Sequence, residues 1–308
     1  MTTVRDRTMA YPLVSICIPT RNGAAYLADA LRSVLDQDYP QLELIVSDDA
    51  STDETIALVR QLTSRARFPV RLSAHTPAGM AANWNACLDL AQGAYIKFLL
   101  QDDLLAPDCI SRMVRAAEAD QRVGLVFCRR RLISGREPAD ALMRDRAATR
   151  INDLHRHWRS LEPLQPGRRL LADPHLLRFP VNKIGEPTAV LLRTAAVRQA
   201  GRFAGTFVQR LDIQYWLRLL EHWHAAFLDA ELASFRIHAG QATATHAARG
   251  INEKQHFDAW LYRSELWPHL HWRVRWQLRW RHAAVLAVPR RTVALCVRAL
   301  RRVRRRRS

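Results

Sequence analysis

Short apolar runs alternate along the chain with longer stretches in which apolar residues recur every three or four positions. The runs show little alternation, which predicts strands covered on both faces, and the recurring stretches predict helices with one buried side. The predicted strands lie at 14–18, 42–46, 70–73, 96–100, 123–128, 188–192 and 225–228, and the main helices at 27–35, 56–62, 80–91, 110–117 and 211–221. The pattern predicts one α/β fold with a mainly parallel mixed sheet flanked by helices.

Two of the predicted strands end in paired carboxylates, Asp48-Asp49 and Asp102-Asp103. In open sheets of this kind, ligands bind outside the carboxyl ends of the strands. Adjacent carboxylates repel each other, and a divalent cation that bridges to phosphate oxygens relieves that repulsion. The alternative is that Asp102 and Asp103 only cap the helix after Pro107. Ser51 and Glu54 have capping-box spacing, which would leave Asp48 and Asp49 free for a ligand.

The composition excludes several classes of protein. Hydrophobic residues make up 48% of the 308 residues, which excludes global disorder. No apolar run is long enough to span a bilayer, and the polar N-terminus has no signal-peptide pattern. The five cysteines are odd in number and widely spaced, so we expect reduced thiols in a reducing compartment.

The positive charge is concentrated at the C-terminus. From Arg263 onward there are fourteen arginines and one acid, Glu265, a surplus of 13 within the net charge of +18. The preceding 262 residues therefore carry only about +5. A nucleic-acid-binding protein would need basic charge on its folded part as well, so we expect no nucleic-acid partner.

Five motifs occur in order along residues 12 to 245. Together they resemble glycosyltransferase family 2, a group of nucleotide-sugar transferases with a GT-A type fold. The resemblance implies a catalytic domain, which we place at 12–250, and the composition of the remaining residues predicts a helical Arg/Trp-rich extension at 251–308. The motifs are Val-Ser-Ile-Cys-Ile-Pro-Thr-Arg-Asn-Gly at 14–23, Ile-Val-Ser-Asp-Asp-Ala-Ser-Thr-Asp at 45–53, Gly-Ala-Tyr-Ile-Lys-Phe-Leu-Leu-Gln-Asp-Asp at 93–103, Leu-Asp-Ile-Gln-Tyr-Trp-Leu-Arg-Leu at 211–219 and Phe-Arg-Ile-His at 235–238.

The resemblance implies a donor site at the first three motifs. Pro19, Arg21 and Asn22 would border the nucleotide base and ribose. Asp49 would accept a hydrogen bond from the base or ribose, and Asp102 would lie near the ribose or the donor sugar. We therefore expect a UDP-, GDP- or dTDP-sugar as donor.

The resemblance also implies a divalent metal, Mn²⁺ or Mg²⁺, held by Asp103. His238 would help to bind the metal or the diphosphate, although a purely structural role for this histidine stays open. Gln101 departs from the family pattern, because many members have Asp there, and the change removes one carboxylate from the site.

Asp212 matches the acid expected to act as catalytic base, taking a proton from the acceptor hydroxyl. The alternative is that Asp212 only caps the helix that follows. Glu186 matches an acceptor-side loop, where a simple turn is the alternative. Direct attack opposite the leaving group would invert the anomeric centre.

We therefore expect an inverting, metal-assisted transferase that moves a sugar to a hydroxyl of a cell-surface saccharide or lipid-linked acceptor. Its expected location is the cytoplasm, peripheral to the inner face of the cell membrane. The alternatives are a degenerate protein that binds nucleotide-sugar without turnover and, less favoured, a basic nucleic-acid-binding protein.

Trp272, Trp276 and Trp280 recur every four residues, with Arg275 and Arg279 beside them. On a helix they would form one stripe suited to an anionic membrane surface, with the arginine-rich terminus adding charge. The alternative is an ordinary helix packed against the catalytic domain.

Overall fold

The computed structural model describes residues 11–135, 153–238, 240–241 and 252–287. The strands are β1 (Val14–Thr20), β2 (Leu42–Asp49), β3 (Val70–His75), β4 (Tyr95–Phe98), β5 (Leu104–Leu105), β6 (Val123–Ser134), β7 (Leu164–Pro166), β8 (Val190–Arg193) and β9 (His224–Ile237). The α-helices are α1 (Leu27–Leu35), α2 (Thr55–Thr63), α3 (Met80–Leu90), α4 (Cys109–Glu118), α5 (Gly167–Leu171), α6 (Thr194–Ala200), α7 (Leu211–His222), α8 (Lys254–Arg263) and α9 (Trp272–Ala287).

These strands form one sheet in the order β3-β2-β1-β4-β8-β6-β9-β5, with β7 paired to β9. The pairs β1–β2, β2–β3, β1–β4 and β6–β9 are parallel, and β8 runs antiparallel to both β4 and β6. The carboxyl ends of β1, β2, β3, β4, β6 and β9 therefore face the same edge of the sheet. Every residue of β1 and β2 is buried, as expected for strands covered on both faces.

An apolar core lies on each side of the sheet. One core contains Leu27, Leu31 and Val34 of α1 together with residues of α4. The other is built around α3 and α7, and it also includes Phe257 and Leu261 of α8. The C-terminal helices thus pack against this core rather than extending away from the sheet.

Most of the predicted elements are present, with shifted ends. The strand predicted at 225–228 is longer in the structure, where it is the first part of the fourteen-residue strand β9. Strand β4 ends at Phe98, two residues before the predicted end. The segment before β8 is a 3₁₀ turn, Pro187–Ala189, where a strand was predicted from Thr188.

The predicted capping box at Ser51 and Glu54 is wrong, because α2 starts at Thr55 with Glu54 as its N-cap residue and no side-chain cap. Ser51 Oγ instead donates to Asp48 Oδ1 over 2.5 Å. Asp53 receives the Thr55 backbone N–H at 3.1 Å. Asp48 is therefore used within the protein and is not free for a ligand.

Four cysteines, Cys17, Cys87, Cys109 and Cys128, are buried free thiols. Cys296 lies outside the described residues. In the described part of the chain, no helix is both long and apolar enough to cross a bilayer.

Candidate active site

The candidate active site lies where the carboxyl ends of the parallel strands meet. The last residue of β2, Asp49, and the loops after β1, β3 and β4, with Arg21, Gly79 and Asp102, lie at this edge. His238 follows the last residue of β9 and reaches the same edge. Parallel pairing thus gathers residues that are far apart in the sequence.

Asp49, at the end of β2, is hydrogen-bonded to the loops after β1 and β3. Its Oδ1 accepts a hydrogen bond from the Ala78 backbone N–H at 2.6 Å, and its Oδ2 accepts from the Gly79 N–H at 3.2 Å and from Arg21 Nη1 at 3.0 Å. Burial alone would raise the pKa of Asp49, but these donors hold that pKa below its usual value. Gly79 has φ +86°, a conformation that favours glycine and lets its N–H point at the carboxylate.

The predicted nucleotide-bordering residues differ in exposure. Pro19 is buried inside β1, whereas Arg21 and Asn22 are exposed in the loop that follows. Asn22 has φ 48°, and its Oδ1 accepts the Thr52 backbone N–H at 2.8 Å. Asp48 is fully buried and accepts a bond from Thr20 Oγ1 at 2.8 Å. Arg21 and Asn22 therefore present side chains at the edge, whereas the predicted Pro19 is buried within the sheet.

Gln101 ties the loop after β4 to the loop after β1. Its Oε1 accepts the Arg21 backbone N–H at 2.8 Å, and its Nε2 donates to the Arg21 carbonyl at 3.1 Å. A carboxylate could not make the second of these bonds, because it has no proton to donate. Gln101, where many family members have Asp, therefore fixes the loop after β1 to the loop after β4 in this protein.

Asp102 and His238 form a pair at the sheet edge. Asp102 Oδ2 lies 2.9 Å from His238 Nε2, and their side chains are 19% and 13% exposed. The His238 ring packs on Tyr26 with ring centroids 4.7 Å apart. Arg236 lies over the same tyrosine and donates from Nε to the Asp102 carbonyl at 2.8 Å.

Asp103 points the other way, into the protein. It is completely buried; its Oδ2 accepts from Thr188 Oγ1 at 2.6 Å, and its Oδ1 accepts the Arg236 backbone N–H at 3.0 Å. Burial, followed by the charge of Asp102, raises the pKa of Asp103 well above its usual value. This placement does not favour the predicted role of Asp103 as metal ligand, because both oxygens already have protein partners.

Asp212 stands in the first turn of α7. Its Oδ2 accepts a bond from Asn182 Nδ2 at 2.7 Å, and its Oδ1 accepts the Ile213 backbone N–H at 2.6 Å. The residue keeps some solvent contact, but the dense protein around its carboxyl group raises its pKa to about 7. The nearby charge of Glu186 adds to this rise, whereas the two hydrogen bonds oppose it.

Glu186, the predicted acceptor-side residue, forms a two-pronged ion pair with the buried Arg130. It stands at the N-cap of the 3₁₀ turn Pro187–Ala189. The predicted turn is therefore present, and the carboxylate keeps 22% of its side-chain surface exposed. Within this turn, Thr188 contacts Asp103, so the Asn182–Thr188 segment connects Asp212 to the acidic loop.

Sequence reasoning missed Asn182 and Thr188, which carry this connection. Asn182 Nδ2 also donates to the Gly185 carbonyl at 2.9 Å, and its Oδ1 accepts the Gly185 backbone N–H at 3.0 Å. Asn182 falls where the apolar periodicity is weak, and Thr188 was predicted only as the first residue of a strand, so no pattern indicated a role for either at the site. Lys97 was missed as well: it is fully buried, and its Nζ donates to the Thr188 carbonyl at 2.5 Å.

The Asp102–His238 pair fits a divalent metal that keeps most of its other positions for water and phosphate oxygens. It supplies one carboxylate and one imidazole, both partly exposed at the edge. Among the residues that the structure describes, no three His, Cys, Asp or Glu side chains form a metal-binding cluster. A metal here would therefore depend on the substrate for part of its coordination.

Residues 15–170 match the family model described as "Glycosyl transferase family 2". The chain is also 32% identical over 293 residues to an uncharacterized protein of Mycobacterium tuberculosis (strain CDC 1551 / Oshkosh), covering 92% of this chain and 88% of that protein. The chain belongs to glycosyl transferase family 2.

Two solved structures share the fold. A fragment of S. aureus TarS in complex with UDP-GlcNAc superposes with a TM-score of 0.61 at 15% identity, covering 88% of this chain and 73% of that one. The mannosyltransferase PcManGT from Pyrobaculum calidifontis, in complex with GDP-Man and Mn²⁺, gives a TM-score of 0.58 at 21% identity and covers 95% of this chain and 80% of its own. The fold is thus that of the GT-A type glycosyltransferases, and the protein is a family 2 glycosyltransferase that uses a nucleotide-sugar.

Proposed function

We propose that this protein is an inverting glycosyltransferase that moves a sugar from a nucleoside-diphosphate donor to a hydroxyl group, with Asp212 as the base. The observation that carries the proposal is the setting of Asp212 in the first turn of α7. Its carboxylate is fixed by Asn182 and Ile213, and its pKa is raised to about 7. A base is most effective when its pKa lies near the working pH.

The donor would bind across the loops after β1, β2 and β4. Arg21 is the exposed cation of this edge, and it pairs with the buried Asp49 at 3.0 Å. We propose that Arg21, Asn22 and Asp49 contact the base and ribose, with Pro19 as support beneath them. The solved relatives hold UDP-GlcNAc and GDP-Man, which favours a UDP- or GDP-sugar and leaves a dTDP-sugar as the third candidate.

The metal would be Mn²⁺ or Mg²⁺, held by Asp102 and His238 instead of the predicted Asp103. When bound, such an ion stabilises the negative charge that develops on the departing diphosphate. The chain's own contribution is to orient the pair, since Tyr26 packs on the His238 ring and Arg236 holds the Asp102 backbone. Asp103 would fix the loop from within through Thr188 and Arg236.

The acceptor would approach between Asp212 and the turn that carries Glu186. Because Arg130 neutralises and holds Glu186, this carboxylate is suited to accept a hydrogen bond from a sugar hydroxyl rather than to move a proton. We propose a saccharide or lipid-linked acceptor for a cell-surface polymer or glycolipid. The corresponding location is the cytoplasm, peripherally at the inner face of the cell membrane.

The second candidate, a degenerate protein that binds nucleotide-sugar without turnover, rests on the loss of an acid at Gln101. The two amide bonds that Gln101 makes to Arg21 give this residue a structural use, so the substitution does not require lost activity.

The test is nucleoside diphosphate release from UDP-, GDP- and dTDP-sugars with and without Mn²⁺, using the wild type, Asp212→Asn and, as control, the exposed Asp89→Asn. We expect metal-dependent release from one donor by the wild type and the control and not by Asp212→Asn. Binding of a donor with no release, in the presence of saccharide and lipid-linked acceptors, would support the degenerate alternative. If no donor binds, the proposal is wrong.

A further inference from the structure

Helix α9 presents apolar side chains on two opposite faces. Val274 and Leu278 are each 1% exposed and lie in the core shared with α7. Trp272, Trp276 and Trp280, which we call the tryptophan face, are 61%, 60% and 64% exposed. At 3.6 residues per turn, a four-residue spacing sets these indoles on one side, opposite Val274 and Leu278. Packing against the core explains why Val274 and Leu278 are apolar. No element that the structure describes covers the tryptophan face.

The tryptophan face stands out from the rest of the described surface. The other large apolar side chains exposed there, Tyr11, Leu164 and Phe179, are scattered along the chain. Single exposed apolar residues are ordinary, whereas several together mark a surface that contacts a partner or a membrane.

Arginines border the tryptophan face on both sides. On a helical projection Arg273 falls beside one edge of it, and Arg275 and Arg279 fall beside the other. The Arg273 guanidinium lies 5.3 Å from the centroid of the Trp272 ring, and that of Arg279 lies 5.5 Å from the centroid of the Trp267 ring. The sequence of α9 contains no acidic residue, and residues 288–308 that follow contain nine arginines and no acid.

We propose that the tryptophan face binds an anionic lipid bilayer surface. Indole rings favour the headgroup region, where their apolar bodies are buried and their N–H groups stay hydrated. Arginines at the same depth pair with lipid phosphates, and an anionic leaflet attracts the basic segment beyond the helix. A second copy of the chain is a poorer occupant, because a symmetric contact would set arginines of both copies against each other.

Helix α9 is connected through α8 to the start of α7, the helix that carries Asp212. Arg281 pairs with Asp258 of α8 at 2.9 Å. Glu253, directly before α8, accepts the backbone N–H groups of Val208, Gln209 and Arg210 at 2.5, 3.0 and 3.0 Å. Those residues precede Leu211, where α7 begins with Asp212 next to it. Docking through α9 would therefore anchor an element that is connected, through α8 and Glu253, to the start of α7; this link to a lipid-linked acceptor rests on the proposed function.

The test is flotation of the full-length protein with vesicles of phosphatidylcholine alone or mixed with phosphatidylglycerol, which needs neither donor nor turnover. The variants are Trp272→Ser/Trp276→Ser/Trp280→Ser and Arg275→Gln/Arg279→Gln. Tyr11→Ser and Arg60→Gln/Arg198→Gln remove an exposed aromatic ring and exposed charges elsewhere and serve as matched controls. Thermal unfolding of each variant checks that it is folded.

We expect the wild type and both controls to float with the anionic vesicles and much less with phosphatidylcholine alone. The tryptophan variant should lose at least about tenfold in vesicle affinity, and the arginine variant about fivefold for each charge removed. Unchanged flotation of a folded tryptophan variant would overturn the proposal. Failure of the wild type to bind anionic vesicles would also overturn it. A wild type that does not bind vesicles but forms a dimer, where the tryptophan variant is monomeric, would assign the tryptophan face to a contact between two copies of the chain.

Failure of this proposal is separable from failure of the proposed function. Donor turnover without vesicle binding would support the transferase activity and reject the membrane-binding surface. Vesicle binding without donor binding would support the membrane-binding surface and reject the transferase activity.

Discussion

Asn182 Nδ2 donates a 2.7 Å hydrogen bond to Asp212 Oδ2, joining an irregular loop to the first turn of α7. The bond orients the carboxylate and favours its charged form, which opposes the rise in pKa that burial causes. The same amide group donates to the Gly185 carbonyl, so one side chain fixes both the proposed base and the acceptor-side turn. Asn182 is thus a positioning residue.

Asn182→Ala should move the acid limb of the pH–rate profile to higher pH, because the Asp212 carboxylate loses a hydrogen bond that lowers its pKa. The measurement is nucleoside diphosphate release between pH 5 and 9 by the wild type and the variant. The variant should recover part of its rate at high pH. A uniform loss of rate with an unmoved limb would show that Asn182 acts only on the fold.

The free energy of unfolding should depend on pH in a way that reflects the raised pKa of Asp212. The folded-state pKa of about 7 lies above the ordinary aspartate pKa of 3.8, so the folded protein binds the proton more tightly than the unfolded chain does. The contribution of Asp212 to stability is therefore fully present below about pH 4 and is lost as the pH rises through 7. In urea unfolding, the free energy of the wild type relative to Asp212→Asn should fall from pH 5 to pH 8. No change in that difference would contradict the raised pKa.

Asp102 and His238 should govern metal affinity. Asp102→Asn and His238→Ala should each weaken Mn²⁺ binding in the presence of a nucleoside diphosphate by about tenfold or more, because each would remove one of two protein ligands. Electron paramagnetic resonance of free Mn²⁺ measures this binding without turnover. Asp89→Asn, at an exposed residue that pairs with Arg202, is the control and should bind Mn²⁺ nearly as the wild type does.

Asp103→Asn should instead act on stability. An asparagine can still accept the Arg236 backbone N–H through its amide oxygen, but its NH₂ group then faces Thr188, whose hydroxyl proton loses the acceptor that Asp103 provides. A buried donor without its acceptor costs about 1–3 kcal/mol. Urea unfolding should show this loss, and the Mn²⁺ affinity of the folded variant should fall much less than that of Asp102→Asn. The opposite ranking would restore Asp103 as the metal ligand.

The fold could be predicted from the sequence because its strands are short apolar runs and its helices have one apolar side. The two acidic strand ends were found in the same way, since strand ends in a parallel sheet meet at one edge. The orientation of Asp102 and Asp103 could not be predicted, because β4 ends at Phe98 and these two residues lie in the turn that follows, where the alternation of a strand no longer fixes the direction of side chains. Packing of Thr188 and Arg236 around Asp103 decides that direction.

The contacts of Asp212 could not be predicted from the sequence either. Asn182 and Asp212 are thirty positions apart, and Asn182 lies in a segment without regular periodicity. Helix α9 was predicted either to meet a membrane or to pack on the domain. The structure confirms the packing through Val274 and Leu278, while the exposed indoles leave the membrane contact as a proposal. Because α9 has apolar residues on two faces, its periodicity is compatible both with packing on the rest of the protein and with membrane contact, and the sequence alone does not distinguish the two.

The most direct test of the central claim is the pH dependence of nucleoside diphosphate release from the preferred donor, compared for the wild type, Asp212→Asn and the control Asp89→Asn. A base with a pKa of about 7 predicts that the wild-type rate falls as the pH drops below 7. Asp212→Asn should lose about 10²–10⁴-fold at pH 8 and show no such limb, because its amide cannot take a proton. A variant that keeps the wild-type rate and the same acid limb would contradict the assignment of Asp212 as the base.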